Sequence, residues 1–213
     1  MNLTDYQQFA LRTASPGHDN IKHASCGLVT EVAELVDSFK RHWFYGTELD
    51  LVNIKEEVGD VLWYLAIGND ALGVPMDNFS GLLTKEVASD EEVLARLVRK
   101  ASDIFFFYNS WQEKEGLPQD FNDLLGYLRM LCNNYGIDIN QCAQDNITKL
   151  QKRYPDNFTQ EAALNRDKEN ELSHIRPEKN RGYGYLLTEE EQLNLIFDEP
   201  TSLEVPLETP SEP

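Results

Sequence analysis

Two acidic pairs at helical spacing, each set inside an apolar run, constrain the fold of this chain more than any other feature. Glu31-Val32-Ala33-Glu34 lies within CGLVTEVAELVDSF, and Glu57-Val58-Gly59-Asp60 follows within VNIKEEVGDVLWYLAIG after 22 intervening residues. At i,i+3 spacing both members of a pair fall on one face of an α-helix. Leu28, Val32, Leu35 and Phe39 keep helical apolar spacing around the first pair. Val58, Leu62 and Leu65 do so around the second, with Val61 and Trp63 beside them. An isolated acidic pair is ordinarily a solvated helix face, and a chain with 37 Asp plus Glu produces such pairs by chance. Acids flanked this closely by core residues are candidates for a buried site. Four carboxylates gathered on two helices repel one another. A hard divalent cation with oxygen ligands would remove that cost, Mg²⁺ first and Mn²⁺ as its substitute.

The formal net charge of −18 bears on partners. It argues against a nucleic-acid surface, which needs basic patches, and against docking on anionic membrane. A polyphosphate substrate would be repelled unless metal ions mediate, which agrees with the acid-cluster reading. MNLTDYQQFALRTASPG has neither a basic nor an apolar signal region, and no stretch approaches the roughly 18 apolar residues of a membrane span. Cys26, Cys132 and Cys142 form no C-x-x-C, and an odd count in apolar surroundings predicts reduced thiols and a cytoplasmic location. His18, His23, His42 and His174 make no H-E-x-x-H, and neither the P-loop nor the dinucleotide-binding glycine pattern occurs.

Helical periodicity dominates, with no convincing alternating strand, so the expected fold is an all-α helical bundle. Helices are predicted over Thr4 to Thr13, from an Asp19 N-cap to His42, from a Thr47 cap to Leu72, Asp77 to Ala88, Ser89 to Lys114, Gln119 to Tyr135, and Asn140 to Tyr154. Trp43-Phe44-Tyr45-Gly46 reads as a loop, and Gly116-Leu117-Pro118 as a stop. An internal echo runs at an offset of 63 residues, with Tyr64-Leu65 repeated as Tyr127-Leu128 and Leu72-Gly73-Val74 as Tyr135-Gly136-Ile137. At that offset Glu57 and Asp60 fall on Asp120 and Asp123, whereas Glu31 and Glu34 fall on Leu94 and Leu97. A duplicated helix unit, copy one about 1–88 and a degenerate copy two about 89–166, accounts for this as well as the general likeness of amphipathic helix pairs does. Residues 167–213 read as an acidic, largely disordered tail, with Leu193 to Phe197 as one short amphipathic segment.

Together these motifs resemble the MazG-like all-α nucleoside triphosphate pyrophosphohydrolases, particularly the small phage-type members. GLVTEVAELVDSFKRHWFYG and IKEEVGDVLWYLA carry the family's E-x-x-E and E-x-x-D pattern, and DNITKLQKRYPDNF places Asn146, Lys149, Arg153, Tyr154 and Pro155 in the family's order. Some 60 residues separate Pro75 from the segment of about 137–167 that holds this third stretch, unlike the short members, which is similar to the longer dimeric-dUTPase branch. The resemblance implies an enzyme that hydrolyses nucleoside or deoxynucleoside triphosphates between the α and β phosphates. It assigns Mg²⁺ to Glu31, Glu34, Glu57 and Asp60, the water's proton to Glu34 or Glu31, and substrate contacts to Asn146, Lys149 and Arg153. Trp63 and its aromatic neighbours would stack on the base. Metal ligands from copy one and basic residues from copy two would make one composite site per chain. The implied partner is the nucleotide, in the host cytoplasm for a phage protein, with homodimerisation as in the short members. A dUTP- or dCTP-specific diphosphatase, an inactive nucleotide-binding module, and a protein whose acidic tail mimics nucleic acid remain open beside it.

Overall fold

The computed structural model describes residues 1–15, 19–76, 88–111, 114–155, 158–165 and 170, and the statements below concern these. They form seven α-helices and no strand: α1 Leu3–Ala10, α2 Asn20–Tyr45, α3 Leu51–Ala71, α4 Asp90–Trp111, α5 Leu117–Asn134, α6 Ile139–Arg153 and α7 Gln160–Leu164. The chain is an all-α bundle, as its periodicity predicts. A short 3₁₀ turn, Leu11–Thr13, extends α1. None of these helices is long and apolar enough to cross a membrane.

Local chemistry explains most boundaries. Asp19 caps α2 by accepting from the Lys22 N–H, and Asp138 caps α6 by accepting from the Asn140 N–H. Four differences from the sequence reading have a plain physical reason. Trp43 to Tyr45 belong to α2, although exposed, because Trp43 packs back on the buried Phe39 four residues earlier, with ring centroids 5.6 Å apart. Gly46, at φ 67°, ends that helix in the left-handed conformation glycine tolerates. The cap of α3 is Asp50, whose side chain accepts from Val52 and Asn53, and not Thr47. Leu117 and Pro118 open α5 rather than separate helices, since a first-turn proline gives up an N–H that has no partner there. The short α7, capped by Thr159, carries too little periodicity to be read beforehand. The helix predicted over 77–88 lies outside the described residues except for Ala88, and the acidic-tail reading lies outside them except for Asn170.

Helix contacts place α2 against α3 and α4, α4 against α5, and α1 and α6 together against α3. One apolar core runs through them, including Leu28, Leu35, Val58, Leu62, Leu65 and Phe121. In the second half, Leu94 and Leu97, at the positions offset from Glu31 and Glu34, are buried in that core. Asp120 and Asp123 share the ammonium of Lys100, at 2.8 and 3.1 Å. A lysine on α4 therefore supplies the cation that these two acids need. Leu94→Ala is expected to lower stability by about 2–5 kcal/mol through the cavity it leaves, with catalytic constants per folded molecule unchanged. Urea denaturation and active-site-normalised kinetics check the two halves of that statement.

Candidate metal centre

The connection of α2 to α3 is short, so the two helices run antiparallel. Their register is fixed at two points. The Asn53 side chain donates to Ser38 Oγ at 2.8 Å near one end. Near the other, the Tyr64 ring lies directly on Gly27, where a Cβ would come within 2.1 Å of it. That register sets Glu31 level with Asp60 and Glu34 level with Glu57. The two i,i+3 pairs thus face one another across the helix interface. One carboxylate oxygen each from Glu31, Glu57 and Asp60 lies within 4.8 Å of the other two. Glu34 is exposed, beside this triple and not within it.

The cluster is electrostatically costly. Burial pushes the Glu57 carboxyl up to about 9, with the charges of Asp60, Glu34, Glu56 and Glu31 adding to it. Burial likewise raises Glu31 to about 7, reinforced by Asp60 and Glu34. For a carboxylate with a raised folded-state pKa, the native state retains a proton that the unfolded chain has released. Stability then falls as pH rises from the unfolded value of 4.5 towards 7 for Glu31 and 9 for Glu57. In EDTA the melting temperature is therefore expected to decline from pH 5 to pH 9, and Glu57→Gln should flatten the decline. A slope unchanged by that substitution would show that Glu57 is not the titrating group.

Behind the acids, α6 supplies a polar network. Gly59 allows its approach: a Cβ there would stand 3.0 Å from Asn146 Cβ and 3.3 Å from the Cys142 carbonyl. Asn146 and Lys149 both lie buried in the interface, the lysine only 1% exposed. Asn146 Nδ2 donates to Asp60 Oδ1 at 2.8 Å. The Lys149 ammonium donates to both Asp60 oxygens, at 2.5 and 2.6 Å, and lies 3.7 Å from Glu56. Of the residues expected at the substrate, Asn146 at its sugar or base and Lys149 at its phosphates, both have Asp60 as their partner. Glu56, the residue before Glu57, joins the rim of the cluster through Lys149. Arg153, one turn on, places its guanidinium over the Tyr154 ring at 5.8 Å.

One member of the network escapes sequence reading. Tyr6 of α1 is fully buried, and its hydroxyl donates to Asn146 Oδ1 at 2.8 Å. Burial, and then the Asp60 charge, raise its pKa well above the usual phenol, so it remains a donor.

No family model, curated protein or solved structure matches this chain.

Beyond the acids the helix pair carries an aromatic trio. His23, Trp63 and Tyr64 meet edge to face, with centroids 4.9 to 5.6 Å apart. Trp63 follows Asp60 by one turn, and its indole N–H donates to Thr13 Oγ1 at 2.9 Å. This bond anchors the half-buried ring one turn beyond Asp60 on α3.

The donor set suits a hard cation. Three carboxylates within reach of one another, one of them 5% exposed, carry a charge burden that Lys149 offsets most directly at Asp60 and more weakly at Glu31.

Proposed function

We propose that the chain is a Mg²⁺-dependent nucleoside triphosphate pyrophosphohydrolase of the MazG-like kind, releasing a nucleoside monophosphate and pyrophosphate. The observation that carries this reading is the convergence of Glu31, Glu57 and Asp60 between two antiparallel helices. Mg²⁺ held there would neutralise phosphate charge and acidify an attacking water. Glu34, exposed beside the triple and level with Glu57, is the carboxylate best placed to take that water's proton. Lys149 and Asn146 keep Asp60 oriented. Arg153, near the end of α6, is the side chain of that helix assigned to phosphate oxygens. Trp63, held by Thr13, offers a rigid aromatic surface for the base.

The test is pyrophosphate release over the eight common ribo- and deoxynucleoside triphosphates, with and without Mg²⁺. The expected outcome is Mg²⁺-dependent release from at least one of them. Glu34→Gln keeps the shape and removes the basicity, and should cost at least about 10²-fold in kcat with the fold retained. Nucleotide binding with no pyrophosphate from any substrate would replace the enzyme by a nucleotide sensor. A single accepted base, dUTP or dCTP, would narrow it to a specific diphosphatase.

A further inference from the structure

We infer that Tyr6 is a positioning residue for Asp60, acting through Asn146; the inference rests on the metal-centre reading above. The hydrogen bonds fix its logic. A carboxylate can only accept, so Asn146 turns its NH₂ towards Asp60 and its oxygen towards α1. The group that meets this oxygen is the Tyr6 hydroxyl, at 2.8 Å. Gly59 O lies 3.4 Å from the same hydroxyl, a longer second acceptor on the helix that carries Asp60.

Lys149 cannot orient Asp60 alone, because its ammonium is nearly equidistant from the two carboxylate oxygens. The Asn146 amide breaks that symmetry. Among the described residues it gives Oδ1 two donors and leaves Oδ2 with the lysine. Oδ2 thereby keeps the greater acceptor capacity. Without the Tyr6 hydroxyl, the amide oxygen of a residue 3% exposed would lose its donor, and the amide would have cause to turn. Outer partners of metal-ligating groups act in this way, and their loss typically costs about 10–100-fold in affinity or activity. The N-terminal helix, which contacts both α3 and α6, is thus part of the site's framework.

The experiment is a Mn²⁺ titration, read by the loss of the free-ion EPR signal, on wild type, Tyr6→Phe, Asn146→Ala, the double variant and Asp60→Asn. Tyr6→Phe is expected to weaken Mn²⁺ binding roughly 10-fold, with unchanged far-UV circular dichroism. In the Asn146→Ala background the same substitution should change affinity by less than about 2-fold, since the relay is already cut. An equal loss in both backgrounds, or wild-type affinity in Tyr6→Phe, would overturn the positioning role while leaving the metal centre standing. Should Tyr6→Phe fail to fold, Asn146→Ala alone decides: a roughly 10-fold loss supports the relay, and wild-type affinity overturns it. Wild type and Asp60→Asn binding Mn²⁺ alike would remove the metal centre and this inference together.

Discussion

Asp60→Asn is expected to abolish pyrophosphate release, by about 10³-fold or more in kcat/KM, and to destabilise the protein at the same time. The two effects have different causes. Removing the carboxylate takes away one of the three converging oxygens and the charge that would bind a cation. It also takes from the Lys149 ammonium, only 1% exposed as a residue, its near carboxylate and leaves it Glu56 at 3.7 Å. Breaking one partner of a buried ion pair typically costs about 3–5 kcal/mol, which for a domain of this size lowers the melting temperature on the order of 10 °C. Asp60 is itself partly exposed, with 23% of its side chain accessible, so the lower end of that range applies. A second substitution separates the causes. Lys149→Met in the Asp60→Asn background removes the buried ammonium that has lost its Asp60 partner and should restore much of the lost melting temperature. It should restore no activity, because the missing oxygen remains missing. Recovery of turnover in the double variant would mean that Asp60 serves only as the counter-ion of Lys149.

The parts of the site legible in the sequence are those fixed by helical period and short connections. Glu31 with Glu34, and Glu57 with Asp60, are pairs because helices have 3.6 residues per turn. They face one another because only Gly46 to Asp50 join α2 to α3. The sequence also marks the approach of α6, though indirectly. A glycine inside a helix costs about 1 kcal/mol relative to alanine, and Gly59 is explained by the helix packed against it. What the pattern does not carry is which donor meets which acceptor across the bundle. Lys149 on a basic stretch of α6 reads as a hand for phosphate, but its length and burial let it reach Asp60, 89 positions earlier. Tyr6 reads as an ordinary member of the apolar seam Leu3, Tyr6, Ala10, since its hydroxyl partner lies 140 positions away. The aromatic run at Trp43 to Tyr45 misleads in the opposite sense. Bulky exposed residues suggest a loop, whereas the packing of Trp43 on Phe39 keeps the last turn helical.

Removing divalent cations should silence the protein and soften it, and the acids themselves should be the reason. With EDTA, pyrophosphate release is expected to vanish. Mg²⁺ at about 100 times its dissociation constant should add roughly 2.7 kcal/mol of stability, which raises the melting temperature by several degrees. The same cluster makes a sharper demand on a variant that cannot bind the ion. Glu31→Gln combined with Glu57→Gln preserves side-chain shape while removing two carboxyls that burial and their neighbours hold at raised pKa values, about 7 and about 9. In EDTA above neutral pH this double variant should melt higher than wild type, because the native protein there bears the cost of either ionising or retaining those protons. On addition of Mg²⁺ the order should reverse, wild type gaining and the variant remaining still. Catalytic groups gathered against their own repulsion commonly stabilise a protein when removed. A double variant that melts lower than wild type in EDTA would mean that Glu31 and Glu57 are structural acids, with hydrogen bonds that outweigh their mutual repulsion.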